Sequence, residues 1–288
     1  MKLIQQTDIT SSRFGIEKAI EMIAAAGFDA IDFSMFDMVD EGNVLAGDNY
    51  KAEVEKILAA AKANNITFEQ AHAPFRFKDY ADYEGEVLPL TLRAIEIAGM
   101  LGVKILVAHP IHYGDYKISK KAMHDLSIRY YRDLIPYCQK YGVKVALENM
   151  WQMNKLTGNI ENDTCSRPEE FAAWIDEIDS PWITGCLDLG HCGLVGEDAA
   201  EFIQFLGADR IGCLHVHDND YHHDSHILPG AGKMDWRSIT GALKEIGYKG
   251  EFTFEADYFI RGFEDQMTAD VLKFMERIGR HLIKMIED

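Results

Sequence analysis

Gly142-Val143-Lys144-Val145-Ala146-Leu147-Glu148-Asn149 closes a long helical pattern (119–141) on a glycine, runs through a short apolar stretch and ends on a carboxylate and an amide. The glycine suits the left-handed backbone that terminates a helix. The apolar run is too short for a buried helix and has the β-branched character of a strand. Its polar end matters most, because a carboxylate that interrupts an apolar strand needs a cation or strong donors.

Working outward in both directions, the same unit recurs. Strands are predicted at 2–6, 30–34, 67–72, 104–109, 144–149, 182–188, 210–217 and 251–256. Helices are predicted at 16–26, 50–64, 87–101, 119–141, 168–177, 199–206, 236–246 and 266–286. Other helix exits carry Gly27, Asn64-Asn65, Gly102 and Gly247. Eight β-α pairs in 288 residues without a Ser/Pro-rich linker predict an α/β fold, a single-domain (β/α)8 TIM barrel over 1–288. The competing open, dinucleotide-binding sheet lacks a G-x-G-x-x-G after its first strand. The longest connections, 73–86, 150–167 and 218–235, all fall on the carboxyl side of the strands, where this architecture builds its sites. The second of them carries Trp151, Met153 and Lys155 and reads as a lid or pocket wall.

Composition narrows the function. Twenty-nine Lys and Arg against 47 Asp and Glu leave a net charge of −18, which repels a nucleic-acid backbone or an anionic membrane. No apolar run approaches the ~18 residues of a membrane span, and the first residues lack the core of a secretory signal, so a cytoplasmic location is expected. Five scattered cysteines without a C-x-x-C pair fit reduced thiols.

Six consecutive predicted strands finish on a metal-ligand type: His72, His109, Glu148, Asp188, His217 and Glu255. Singly, each would read as a hydrogen-bonded loop residue; a parallel barrel gathers its strand ends in a ring, and jointly they read as a site. Glu148, Asp188, His217 and Glu255 form a mixed oxygen and nitrogen set suited to Mn²⁺, Zn²⁺, Co²⁺ or Mg²⁺. His215 lies on the same strand face as His217, and alternation alone does not choose between them. His191 follows Asp188 by one short turn, and Asp224 and His226 precede Leu228-Pro229-Gly230-Ala231-Gly232. His222, His223 and His124 read as solvated.

The blocks Ala146-Leu147-Glu148-Asn149, Asp188-Leu189-Gly190-His191, His215-Val216-His217-Asp218-Asn219-Asp220, His226 through Pro229-Gly230, Gly232 and Asp235-Trp236, and Phe254-Glu255-Ala256 resemble the signature blocks of xylose-isomerase-like barrels. That superfamily includes ketose 3-epimerases, hydroxypyruvate isomerase, inosose dehydratase and abasic-site endonucleases. The resemblance implies one divalent metal on Glu148, Asp188, His217 and Glu255, with His217 preferred over His215 for its His-x-x-Asp spacing to Asp220. It implies substrate contact by His191, and matches His72, His109, His191, Asp224 and His226 to further zinc positions of the endonucleases, so up to three ions. It also implies a homo-oligomer.

Three activities are expected in order. The first is a metal-dependent isomerase or epimerase of a small sugar, in which Glu148 and Glu255 flank the substrate and pass protons through an enediolate, with Trp151, His72 and His191 on the substrate. The second is a multinuclear zinc phosphodiesterase, which the charge and the scattering of Arg76, Lys78, Lys155 and Arg167 disfavour. The third is a sugar dehydratase or lyase. Phe33, Phe36, Phe75, Trp151 and Trp236 are candidates for stacking on a sugar face.

Overall fold

A computed structural model of the chain describes residues 1–76 and 82–288; Lys78 and part of the 73–86 connection lie outside the described residues. Eight parallel strands form the barrel: β1 (Leu3–Gln6), β2 (Ala30–Ser34), β3 (Thr67–His72), β4 (Ile105–Val107), β5 (Lys144–Glu148), β8 (Ile183–Asp188), β9 (Ile211–His215) and β10 (Phe252–Phe254), hydrogen-bonded in the order β10-β1-β2-β3-β4-β5-β8-β9. The ring closes just beyond the strand ends, where Val216 N donates to Thr253 O and Glu255 N donates to Val216 O.

The helices α2 (Ile16–Ala26), α3 (Tyr50–Ala63), α4 (Leu88–Leu101), α5 (Tyr116–Tyr141), α6 (Pro168–Ile178), α8 (Ala199–Leu206), α9 (Trp236–Glu245) and α11 (Thr268–Glu287) agree with the sequence pattern to within about three residues. Each buries an apolar stripe against the sheet. In α2 that stripe is Ala19, Ile20, Ile23 and Ala26, one helical face. The expected left-handed exits are present, including Gly142 (φ 71°) and the non-glycine Asn65 (φ 52°).

Period-2 alternation gave no warning of several short elements. The helices α1 (Asp8–Phe14), α7 (Leu189–Leu194) and α10 (Tyr258–Arg261) decorate the carboxyl-side rim. The connection after β5 folds into an antiparallel hairpin, β6 (Trp151–Met153) with β7 (Ile160–Asn162).

The barrel interior has two layers. Val107, Ala146, Cys186 and Cys213 pack as a small apolar plug. Two residues further along the same strands, alternation turns His109, Glu148, Asp188 and His215 inward as well. Thr253 and Glu255 on the β10 side, and Gln70 and His72 on β3, repeat the spacing. The apolar layer therefore supports a polar one at the carboxyl ends.

Candidate active site and metal centre

Glu148, Asp188, His215 and Glu255 converge at the barrel axis, each offering a ligand atom within 4.8 Å of the others, and all four are buried. His215 Nδ1 lies 3.0 Å from Glu255 Oε2, 3.4 Å from Glu148 Oε1 and 3.9 Å from Asp188 Oδ2. The imidazole among these carboxylates is thus His215, where the sequence reading put His217. Strand register supplies the reason. Asp188 pairs directly with His215, so both side chains leave the sheet at one height. His217 stands two residues, roughly 6.5 Å, nearer the mouth.

His217 joins a second group with His191, Asp224 and His226, again with ligand atoms within 4.8 Å of one another. Its Nε2 also lies 3.0 Å from Asp188 Oδ1, which links the two groups. The rings of His217 and His226 stack at 4.0 Å. Gly190 is required here, since a Cβ on it would overlap the His217 ring. His191 Nδ1 donates to Asn149 O and His226 Nδ1 donates to Glu255 O, both at 2.8 Å. Such backbone acceptors fix a metal-binding imidazole's tautomer and turn its other nitrogen inward. A third group is His72, His109 and Glu148, with Glu148 Oε2 3.3 Å from His109 Nε2 and 3.6 Å from His72 Nε2.

Several buried atoms in these groups have no hydrogen-bond partner among the described residues: Glu148 Oε2, His215 Nδ1, His217 Nδ1 and Asp224 Oδ1. Unpaired buried lone pairs beside carboxylates are costly unless a cation meets them, so the donor set fits a divalent ion. The electrostatics agree. Burial opposes charge on Glu148, yet His215 and His109 outweigh it and hold the carboxyl well below the usual range. Burial also acts against an ionised Glu255, and His215 then His226 bring its pKa down. Burial likewise opposes an imidazolium at His215, but Glu255 and Glu148 raise its pKa well above the ordinary value. At His226, burial is overcome by Asp224 and the pKa rises to about 9.

A cavity of about 410 Å³ opens over this floor, with Phe36, Phe75, Trp151 and Tyr258 among its walls beside Glu148, His191, Asp224 and Glu255. The expected substrate contacts separate here. His191 and Trp151 line the cavity, and the Trp151 indole donates to Asp224 Oδ2 at 3.1 Å. His72 is fully buried behind it, its Nδ1 donating to Ala73 O and its Nε2 3.0 Å from His109 Nε2. Phe36 and Phe75 reach the wall, whereas Phe33 and Trp236 belong to the core. Among the described residues Arg76 is the only Arg or Lys on the cavity, and it is engaged by Val39 O and Asp40.

Sequence reasoning passed over three supports. Gln6 Nε2 donates to Glu255 Oε1 at 2.9 Å, leaving Oε2 to face His215. Asn149 clamps the neighbouring strand, accepting from Asp188 N and donating to Asp188 O. His112 and the buried Asp163 meet at 2.6 Å on the cavity wall, though the carboxylate lies off the axis of an aligned hydrogen bond. Asn149 and Gln6 were visible as amides at strand ends; His112 and Asp163 sit in loops with no periodic signal.

A family model described as Xylose isomerase-like TIM barrel matches residues 20–278. A D-psicose 3-epimerase of Enterocloster bolteae is 28% identical over 254 residues, 83% of this chain and 76% of that one. An L-ribulose 3-epimerase of Methylomonas sp. is 26% identical over 248 residues, 85% and 79% of the two chains. An uncharacterized protein, MJ1311 of Methanocaldococcus jannaschii, is 30% identical over 191 residues, 64% of this chain, and the match spans 62% of that protein. Among solved structures, a D-tagatose 3-epimerase-like protein superposes with a TM-score of 0.74 at 21% identity, covering 98% of this chain and 100% of the other. The IOLI protein, crystallised with a zinc atom, also gives 0.74, at 20% identity and 98% of each chain. At those identities the two structures speak to the fold.

Proposed function

We propose, for a chain that belongs to the xylose isomerase-like TIM-barrel family, that its cavity epimerises or isomerises a small ketose by moving a proton at the carbon beside the carbonyl. The observation that carries this reading is the meeting of Glu148 and Glu255 at one buried centre beneath a sugar-sized, aromatic-walled cavity, their ligand oxygens within 4.8 Å. The ketose 3-epimerases among the relatives support the substrate class.

A divalent cation held by Glu148, Asp188, His215 and Glu255 would supply Lewis-acid polarisation of the substrate's carbonyl and hydroxyl oxygens. The chain's own residues do the rest. One of the two glutamates, as the carboxylate, takes the proton beside the carbonyl. The other relays a proton to the opposite face of the same carbon for epimerisation, or to the neighbouring carbon for isomerisation. Gln6 holds Glu255 by one oxygen and leaves the other free to act. Trp151 and His191 wall the cavity and keep bulk water from the proton as it moves.

The test is a ketose panel (D-psicose, D-fructose, D-tagatose and L-ribulose) in D₂O with metal-loaded enzyme, followed by NMR. Deuterium at the carbon beside the carbonyl is expected, absent with Glu255→Gln. No exchange with any ketose, or full exchange with that variant, overturns the reading.

Phosphodiester hydrolysis is the second reading, favoured by the two further ligand groups, which with the first could hold three ions. The net charge of −18, and Arg76 as the single, already engaged cationic side chain on the cavity among the described residues, weigh against a phosphate backbone. Three zinc ions per chain together with cleavage of an abasic duplex would reverse the ranking.

A further inference from the structure

The floor beneath the first ligand group contains a carboxylate that the chemistry above does not use. Asp32, on β2, is fully buried and faces the barrel axis. A short chain of donors leads to it. Thr253 Oγ1 donates to Gln70 Oε1 at 3.0 Å, so the Gln70 amide group is turned the other way and donates to Asp32 Oδ2 at 3.3 Å. The carboxylate accepts only, so the Gln70 group turned toward it is the NH₂ and the amide oxygen faces the Thr253 hydroxyl.

Asp32 is left with one long hydrogen bond, and its Oδ1 has no partner among the described residues. A buried carboxylate so poorly served calls for another donor. Facing it, 3.9 Å from Oδ2, is His215 Nε2, which also has no partner. The opposite nitrogen of that ring points at Glu255, Glu148 and Asp188. One imidazole thus stands between a cation-ready cluster and a lone carboxylate, each with one ring nitrogen. A single bridging water, or a sub-ångström swing of the ring, gives His215 Nε2–H this carboxylate as its acceptor.

We propose that Asp32 is the positioning carboxylate of His215, holding its ring with the proton on Nε2 so that the Nδ1 lone pair faces Glu148, Asp188 and Glu255. The assignment rests on reading that cluster as a cation site. It extends that reading to a polar relay crossing the barrel floor, from Thr253 through Gln70 to Asp32. A carboxylate behind a ligating histidine typically changes metal affinity about 10–100-fold when removed. Asp32→Asn keeps the shape and removes the charge: the oxygen that faces both the Gln70 NH₂ and His215 stays in place, and Nε2–H is left with a neutral acceptor in place of a carboxylate.

The experiment uses zinc as probe, being diamagnetic. Zinc affinity is measured by titration against a competing chelator, and the ring protons of His215 are observed by proton–nitrogen NMR in the zinc-loaded protein. In the wild type, His215 is expected to carry a slowly exchanging proton on Nε2. In Asp32→Asn, zinc affinity is expected to fall about 10–100-fold and that proton to exchange faster, with the circular dichroism spectrum unchanged. Thr253→Val, which removes only the end of the relay, should give a smaller loss. Zinc bound through His215 Nε2 in the wild type overturns the proposal and needs no variant to fold. So does an Asp32→Asn protein that binds zinc within twofold of wild type. Wild-type protein that takes up no zinc overturns the cation-site reading itself, and this assignment with it.

Discussion

The two four-residue ligand groups differ in how they are built. Glu148, Asp188, His215 and Glu255 stand on or one residue beyond barrel strands, are all buried, and have their heights set by strand register. His191, His217, Asp224 and His226 come from a six-residue helix and the connection after β9, with Asp224 and His226 partly exposed. The first group is held by the sheet and its core. The second is held by side chain to main chain hydrogen bonds from His191 and His226 and by the tight approach of Gly190. Rigid elements place a site more accurately than loops do, so the proposed chemistry falls on the first group and the proposed adjustable binding on the second.

The largest effect expected from this contrast is in the first group. Glu148→Gln and Glu255→Gln should each lower ketose proton exchange by about 10³-fold or more while leaving thermal unfolding within a few degrees of wild type. Equal activity of either variant would move the chemistry elsewhere. Next comes the choice between two histidines. His215→Ala should weaken the tightest zinc or manganese site by at least ~100-fold, and His217→Ala should leave that site within a few fold. Reversed results would restore the His217 assignment and undo the register argument.

That pair of residues marks the boundary of what the sequence reveals. The alternation of strand and helix was enough for the barrel, because each β-α unit is local and carries its own apolar stripe. Glu148, Asp188 and Glu255 were legible for the same reason, as carboxylates ending apolar runs. His215 and His217 share a strand face, and only the pairing of Asp188 with His215, a contact between distant segments, separates them. The strand prediction through His217 was also too long, since β9 ends at His215 and Val216 serves the closure of the barrel. His112 with Asp163, and Asp32 with Gln70, were invisible because their partners are set by tertiary folding. The alternation also gave no reason to expect α7, whose short turn carries His191.

A pH experiment on metal-free protein tests the second group. His226 has its pKa raised to about 9 by Asp224, against 6.5 as the ordinary value. The folded state therefore binds more protons than the unfolded state between those values, and stability must fall as pH rises. This contribution is complete below about pH 6.5 and lost as pH passes about 9, on the order of 3 kcal/mol at most. Denaturant unfolding at pH 6 and pH 9.5 should show the loss in wild type, to which the likewise raised His191 and His215 add, and a smaller loss in His226→Gln. A wild-type profile flat over that window, or a loss undiminished in the variant, would mean that the ion pair with Asp224, 3.1 Å long, contributes little.

The smallest change aims only at the scaffold of the second group. Gly190 follows Asp188 by two residues in α7 and supports the His217 ring, with which a Cβ would collide. Gly190→Ala adds one methyl group, and the ring must move because the helix backbone around Asp188 and His191 is held by Asn149. Overpacking of this kind costs about 1–3 kcal/mol. His217 Nε2 would lose its approach to Asp188 Oδ1, whereas His215, in register with Asp188 on the strand, would keep its own. The variant should therefore unfold at lower denaturant and bind a second zinc ion more weakly, yet retain the first ion and most of the ketose exchange. If exchange falls together with the second ion, the two groups act as one centre through the carboxylate of Asp188, and the division between strand-built chemistry and loop-built binding fails.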